Sequence, residues 1–396
     1  MKYAVLIGDG MADYPLKELG DKTPLEVAKT PNMDWIAENG ITGIVKTIPN
    51  GFKPGSDIAS LSIFGYDPAK YYTGRGPLEA ANMGVKLKEN DVAFRCNLVT
   101  VKNGIMDDFT AGHITNEEAE KLIKSIDKEL GREEIRFYPG VSYRHLTVME
   151  NGPVEAKCTP PHDITGKQIE GYLPKGAGGD LLRRLMQDSV PLLADHKINR
   201  KRIDKGKKPA NMIWLWGQGK APSMPQFKKK YGLGGSVVTA VNLIKGIGVC
   251  IGLDVIDVPG ATGYFDTNYK GKAEYGLRSL KNKDFVLIHL EPPDEAGHMG
   301  DIKAKIKAIE DFDNLVVGTV LEGLKKFGEY RVLVLPDHPT PISLKTHSAD
   351  PVPFAICGSG TKADEVKSFN EREISNSRIR IKKGHELLDF LFKQKY

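Results

Sequence analysis

The sequence predicts an α/β protein in which a mainly parallel sheet, flanked by helices, is interrupted by a smaller inserted α/β domain. Three observations carry that expectation. Short apolar runs recur near both ends of the chain and read as strands buried on both faces. A long helical repeat of apolar residues lies between two of those runs. The middle of the chain has a different texture, with shorter apolar runs and frequent turn residues. Strands alternating with helices place a parallel sheet between helical layers.

Taken in order, Tyr3–Gly8 (YAVLIG) is the first strand, and Pro24 to Asn39 reads as a helix closed by Gly40. Pro54-Gly55 makes a turn, and Asp57–Phe64 follows as a short amphipathic helix. From about Val85 to about Gly219, turn-rich stretches such as TPPHDITG and LPKGAGGD separate the shorter strand-like runs Val92–Val101 and Leu146–Met149. Strands resume at Phe285–Leu290, Arg331–Pro336 and Val352–Gly358, all read as parallel. Ile302, Ile306, Ile309, Phe312, Val316, Val320 and Leu324 mark one long helix between them. The simplest organisation is a core domain of residues 1–85 and 220–396, with residues 86–219 inserted.

A chain of 396 residues exceeds the usual single domain of ~100–200. Its 40% apolar and 27% charged composition excludes disorder, collagen and coiled coil as whole-chain descriptions. The net charge of +5 is too weak to indicate nucleic acid. One basic run holds Lys197, Arg200, Lys201, Arg202, Lys205, Lys207 and Lys208, opposed only by Asp204. It has no interleaved stacking aromatic, so a solvated surface is expected there and no specific nucleic-acid partner. Cys96, Cys158, Cys250 and Cys357 lie far apart and read as reduced thiols. No segment has the ~20 apolar residues that span a bilayer, and Asp9 and Asp13 interrupt the N-terminal apolar run. A cytoplasmic protein without a membrane partner is expected.

The residues just past the strand ends carry the chemistry. Asp9 follows the first strand, Asp294 and His298 follow Phe285–Leu290, and Asp337 and His338 follow Arg331–Pro336. His347 lies in the polar loop before Val352. In parallel α/β sheets, sites form beyond the carboxyl ends of the strands. Carboxylates and imidazoles together suit divalent cations such as zinc and manganese. Asp294 and His298, four apart, share one face of a helical turn. Six such ligands exceed one tetrahedral ion and point to two, ~3.5–4 Å apart, as in phosphoryl-transfer sites. Ser56, at the start of a helix, is the candidate nucleophile, although Ser is also a favoured helix cap. Ser60 and Ser62 are the fallback choices, and His289 inside FVLIHL reads as a packed strand residue.

In this order, IGDGMADYP, GSDIASLSIFGYDP, PPDEAGHMGD, PDHPTP and THS resemble the archaeal-type cofactor-independent (2,3-bisphosphoglycerate-independent) phosphoglycerate mutases of the alkaline phosphatase superfamily. TGRGPLEAANMGV, YPGVSYRHL and TPPHDITGK extend the likeness through the middle of the chain. The resemblance implies an alkaline-phosphatase-like core and interconversion of 3-phosphoglycerate and 2-phosphoglycerate, a step of glycolysis and gluconeogenesis, through a phosphoserine at Ser56. It implies that Asp9, Ser56, Asp337 and His338 hold one divalent ion and Asp294, His298 and His347 the other. Manganese is the family's usual metal, with magnesium, cobalt or zinc as alternatives, and no 2,3-bisphosphoglycerate is needed. The inserted domain is expected to grip the small-molecule substrate and close over it. Arg95, Arg144, His145, His162 and Asp163 are its candidate contacts, and Lys245 is a candidate in the core. The rival is a metal-dependent phosphomonoesterase on the same core.

Overall fold

The apolar runs at the two ends of the chain come together in one sheet. In the computed structural model, which describes residues 1–393, the strands are β1 (Lys2–Gly8), β2 (Gly40–Val45), β3 (Asp91–Lys102), β4 (Ile105–Asp108), β5 (Ile135–Val141), β6 (Arg144–Glu150), β7 (Met212–Lys220), β8 (Gly235–Val238), β9 (Asp254–Val255), β10 (Phe285–Leu290), β11 (Tyr330–Leu335), β12 (Val352–Gly358) and β13 (Arg380–Ile381). The chain divides into two compact units, one made of Met1–Tyr72 with the chain from Met224 onward, the other of Thr73–Ser223. No helix among the described residues is long and apolar enough to cross a membrane.

In the first unit an eight-stranded sheet runs in the order β13-β2-β12-β11-β1-β10-β8-β9. β1 lies between β10 and β11 and is parallel to both. Gly8 pairs with Leu290 and Ile7 with Leu335, so these three strands finish at one level. Asp9, Glu291 and the Asp337-His338 pair therefore leave the sheet along one edge. Alternate residues of these strands, among them Leu6, Ile288 and Val334, pack with Phe312, Val316 and Val320 of the long helix.

Three local expectations need correction. β12 is antiparallel to β11 and to β2, not parallel. The segment between β11 and β12 contains no helix, and without a crossover the chain returns beside the strand it has just left. The helix expected from Pro24 to Asn39 is two, Pro24–Val27 and Pro31–Glu38. Proline at the first position of the second helix cannot continue the first. The open N-terminus of that second helix is capped by Asp313, which accepts from Met33 N at 2.7 Å and Asn32 N at 3.2 Å. Asp313 itself lies in a π-helical stretch, Phe312–Val317, inside the long helix expected as regular.

The second unit is built on antiparallel pairs: β3 at its centre is flanked by β6 and β7, with β5 beyond β6 and β4 at the end of β3. One face, with Phe94, Cys96 and Leu98, packs on the helices Asn116–Leu130 and Gly179–Ala194. The other carries Ala93, Leu146 and Val148, against which Ala80 of the helix Arg75–Asn82 packs. Gly76 lets that helix lie on β3, since a Cβ there would be 2.2 Å from the Ala93 carbonyl oxygen. This helix explains why the unit begins at Thr73, ahead of the expected residue 86. The basic run forms the helix Lys197–Asp204. Arg202 within it is buried, donating to Glu118 at 2.5 Å, to the Ala111 carbonyl at 2.6 Å and to the Lys208 carbonyl at 2.9 Å.

Candidate metal centre and anion cluster

Ser56 opens the helix Ser56–Ile63 after the Pro54-Gly55 turn. Its Oγ is 3.3 and 3.4 Å from the two carboxylate oxygens of Asp9 and 3.2 Å from His338 Nε2. Free N–H groups at that helix end favour an anion beside the hydroxyl. The fallback serines, Ser60 and Ser62, are wholly buried in the same helix.

Asp294 and His298 belong to the helix Pro292–Met299, one turn apart, with His298 Nε2 3.2 Å from Asp294 Oδ2. His347 Nε2 approaches Asp294 Oδ1 to 3.3 Å and His298 Nε2 to 3.0 Å. Beside them, His338 Nε2 is 3.5 Å from Asp9 Oδ1 and 3.4 Å from Asp337 Oδ2. Asp9, Asp294 and His338 offer ligand atoms within 4.8 Å of one another, as do Asp294, His298 and His347. The seven residues expected from sequence to form the centre, Asp9, Ser56, Asp294, His298, Asp337, His338 and His347, thus converge in space.

Two features show that this donor set fits divalent cations. The first is excess buried negative charge. Asp337 Oδ1 accepts from the backbone N–H groups of Gly10 and His338, at 3.1 and 2.9 Å, while its buried Oδ2 has no hydrogen-bond partner. Burial, then the neighbouring carboxylates of Asp337 and Asp294, push Asp9 well above the usual carboxylate range. Burial alone would raise Asp294 too, but hydrogen bonds from His298 and His347 hold it well below that range. The hydrogen bond with Asp294 in turn raises His298 to about 9. The second feature is imidazole orientation. His298 Nδ1 is 3.0 Å from the Lys345 carbonyl, His347 Nδ1 3.4 Å from the Pro54 carbonyl, and His338 Nδ1 3.3 Å from Thr340 Oγ1. The two carbonyl partners can only accept, so Nδ1–H of His298 and of His347 donates outward, and each Nε2, on giving up the proton it shares with Asp294, would be free to hold a cation, the arrangement that fixes ligating histidines.

His289 was expected as a packed strand residue. It is fully buried on β10, yet its Nε2 is 3.3 Å from Asp9 Oδ2 and its Nδ1 3.4 Å from Glu291 Oε1. Burial would lower it, but these two carboxylates raise it to about 10. Glu291 is paired at 2.7 Å with Lys272, which is also buried. A single polar side chain in an all-apolar strand was the available signal for this residue.

In the second unit, Arg95 on β3 is register partner to Trp216 on β7, and Arg144 on β6 lies two pairs along, opposite Asn97. The Arg95 guanidinium is 5.0 Å and that of Arg75 5.6 Å from the Trp216 ring, and the His162 ring is 5.3 Å from it. Arg144 stacks over Tyr143 at 5.4 Å. Burial lowers the Arg95 pKa, and the like charges of Arg75 and Arg144 add to this against the opposing Glu79. The buried Nε atoms of Arg95 and Arg144 lack hydrogen-bond partners. The unfilled Nε donors of Arg95 and Arg144 suit a carboxylate or phosphate. Arg75 and Trp216 were missed from sequence, although Arg75 lies inside TGRGP.

The remaining candidates have other neighbours. His145 is fully buried, its Nδ1 accepting from Gly140 N at 2.9 Å, and burial pushes it down to about 3. His162 Nε2 is 3.6 Å from Asp163 Oδ1. Lys245, on the helix Asn242–Cys250, pairs with Asp257 at 2.5 Å.

The family model described as 2,3-bisphosphoglycerate-independent phosphoglycerate mutase matches residues 37–199. A protein of that name from Methanosarcina acetivorans is 54% identical over 99% of this chain and 100% of its own. A solved protein of Pyrococcus horikoshii aligns with a TM-score of 0.84 at 33% identity, covering 99% of this chain and 97% of its own. The cofactor-independent phosphoglycerate mutase of Thermoplasma acidophilum aligns with a TM-score of 0.67 at 29% identity, covering 99% of each chain.

Proposed function

This chain belongs to the family of 2,3-bisphosphoglycerate-independent phosphoglycerate mutases, and we propose that it interconverts 3-phosphoglycerate and 2-phosphoglycerate by passing the phosphoryl group through Ser56. The observation that carries the proposal is the Ser56 hydroxyl, 3.2 Å from His338 Nε2 and 3.3 Å from Asp9, at a helix N-terminus among buried carboxylates.

We assign Asp9, Ser56, Asp337 and His338 to one divalent ion and Asp294, His298 and His347 to a second. Bound there, such ions supply positive charge that stabilises phosphoryl oxygens and lowers the pKa of an adjacent hydroxyl. Manganese is the expected metal, and magnesium, cobalt or zinc meet the same donor set.

Ser56 Oγ attacks phosphorus in line. The bond to Oγ forms as the bond to the 3-oxygen of glycerate breaks. The N-terminus of the helix Ser56–Ile63 faces the transferred group and favours its negative charge. In the return step the 2-hydroxyl of glycerate attacks phosphorus and the bond to Oγ breaks. Two in-line displacements give net retention, and neither consumes water. Arg95 and Arg144, whose planar forks match a carboxylate, are the proposed substrate contacts of the second unit, with His162 and Asp163 as further candidates. His145 and Lys245 are engaged elsewhere, by Gly140 and Asp257.

Incubation with 3-phosphoglycerate and a divalent ion, without added 2,3-bisphosphoglycerate, tests this. The expected product is 2-phosphoglycerate. Free phosphate in its place would instead make the chain a phosphomonoesterase, with water taking the second step.

A further inference from the structure

Between the two proposed ligand sets lies one hydroxyl, that of Thr340, a fully buried residue in the loop after β11. Its Oγ1 is 2.5 Å from Asp294 Oδ1 and 3.3 Å from His338 Nδ1. A carboxylate that serves as a ligand only accepts hydrogen bonds. The single hydroxyl proton of Thr340 is therefore committed to Asp294. The oxygen lone pairs are left for His338, which must supply its proton from Nδ1. Nε2 of His338 is then bare, and it is the atom 3.2 Å from Ser56 Oγ and 3.5 Å from Asp9 Oδ1.

The surroundings hold Thr340 in this position. Lys305, wholly buried, donates to the Thr340 carbonyl at 2.8 Å, to the Ala12 carbonyl at 3.3 Å and to Asp13 at 2.7 Å. Thr340 N donates to the Ala12 carbonyl at 3.2 Å. On the open side stands Gly10, at φ +60°, where a Cβ would lie 2.5 Å from Thr340 Oγ1 and 2.6 Å from Asp294 Oδ1. Glycine there leaves the hydroxyl and the carboxylate room to meet.

We propose that Thr340 is a positioning residue that couples the two cation sites, its one hydroxyl setting the orientation of Asp294 in one and the tautomer of His338 in the other. The inference rests on the two-ion reading above, and the same reasoning makes Thr340 act on metal affinity ahead of any effect on turnover.

Calorimetric titration of the metal-free full chain with Mn2+ tests it on the wild type, Thr340→Val and Thr340→Ser. Valine keeps the shape and removes the hydroxyl, whereas serine retains the hydroxyl. Loss of an outer hydrogen bond to a metal ligand weakens affinity by about 10–100-fold, so Thr340→Val is expected to weaken both ions by that factor while Thr340→Ser stays near the wild type. A Thr340→Val chain that binds both ions as tightly as the wild type, or loses affinity at one site alone, overturns the coupling. A wild type that binds no ion overturns the two-ion reading and the coupling with it, so the two failures are distinguishable. Should Thr340→Val not fold, nitrogen NMR of His338 in the unmodified chain decides. A protonated Nδ1 upholds the inference. A bare Nδ1 overturns it, because that nitrogen would take the proton that Asp294 needs.

Discussion

His145 is an imidazole that burial keeps neutral, pushed down to about 3 from an ordinary value of 6.5. The unfolded chain takes up a proton at this residue as pH falls below 6.5, and the folded chain does not. Stability is therefore present above that value and is lost as pH falls from 6.5 toward 3, by up to about 1.4 kcal/mol per pH unit. Urea unfolding of the metal-free protein at a series of pH values, beside His145→Asn, should show the variant lacking this part of the slope. Parallel curves would remove the assignment. At this scale the sequence was readable wherever a residue type was out of place. One aspartate or histidine just past an apolar run is ordinary, but its recurrence at three strand ends is not, and Asp9, Asp294 and Asp337 were found that way. Thr340 was not, because a threonine in a loop is ordinary, and only the 2.5 Å contact with Asp294 distinguishes it. Arg75 was not, because its partners around Trp216 come from distant strands.

Elements were legible where periodicity alone decides them. β1, β10 and β11 are continuous apolar runs and appear as expected. The direction of β12 was not legible, since an apolar run reads the same in a parallel and an antiparallel ladder. The π-helical stretch Phe312–Val317 escaped for a related reason: its apolar spacing also fits a regular helix. The basic helix Lys197–Asp204 shows how an element's charge can mislead. Arg202 is 2% exposed and closes hydrogen bonds to Glu118, Ala111 and Lys208, while Lys201 and Lys205 are exposed. Leaving buried hydrogen-bonding groups without a partner costs about 1–3 kcal/mol, whereas exposed substitutions usually stay within about 0.5 kcal/mol. Thermal and urea unfolding should therefore rank Arg202→Ala far below Lys201→Ala and Lys205→Ala. Equal stability of the three would mean that the run is surface throughout.

For the whole molecule, the chain is a core unit drawn from both ends and an inserted unit drawn from the middle. The proposed ligands, from positions 9 to 347, are unconnected until strand order brings them to one edge of the sheet. A bound ion should therefore stabilise the folded core by mass action, about 2.7 kcal/mol at a hundredfold excess over its dissociation constant. Hydrogen exchange with and without a chelator reads where that effect falls. Peptides covering residues 8–13, 291–299 and 336–348 are expected to lose protection on metal removal, and those covering β3 and β7 to keep it. Uniform change across all of them would contradict the placement of the ions in the core unit.

The most direct measurement is the initial rate of 2-phosphoglycerate formation from 3-phosphoglycerate by Ser56→Ala, with wild type under the same ion and substrate. Removing a nucleophile costs on the order of 10⁴-fold or more, and the variant is expected to lose at least that while folding as before and keeping the ion proposed at Asp294, His298 and His347. Turnover by Ser56→Ala within about tenfold of the wild type, too small a loss for a missing nucleophile, would contradict a phosphoryl group carried on that hydroxyl.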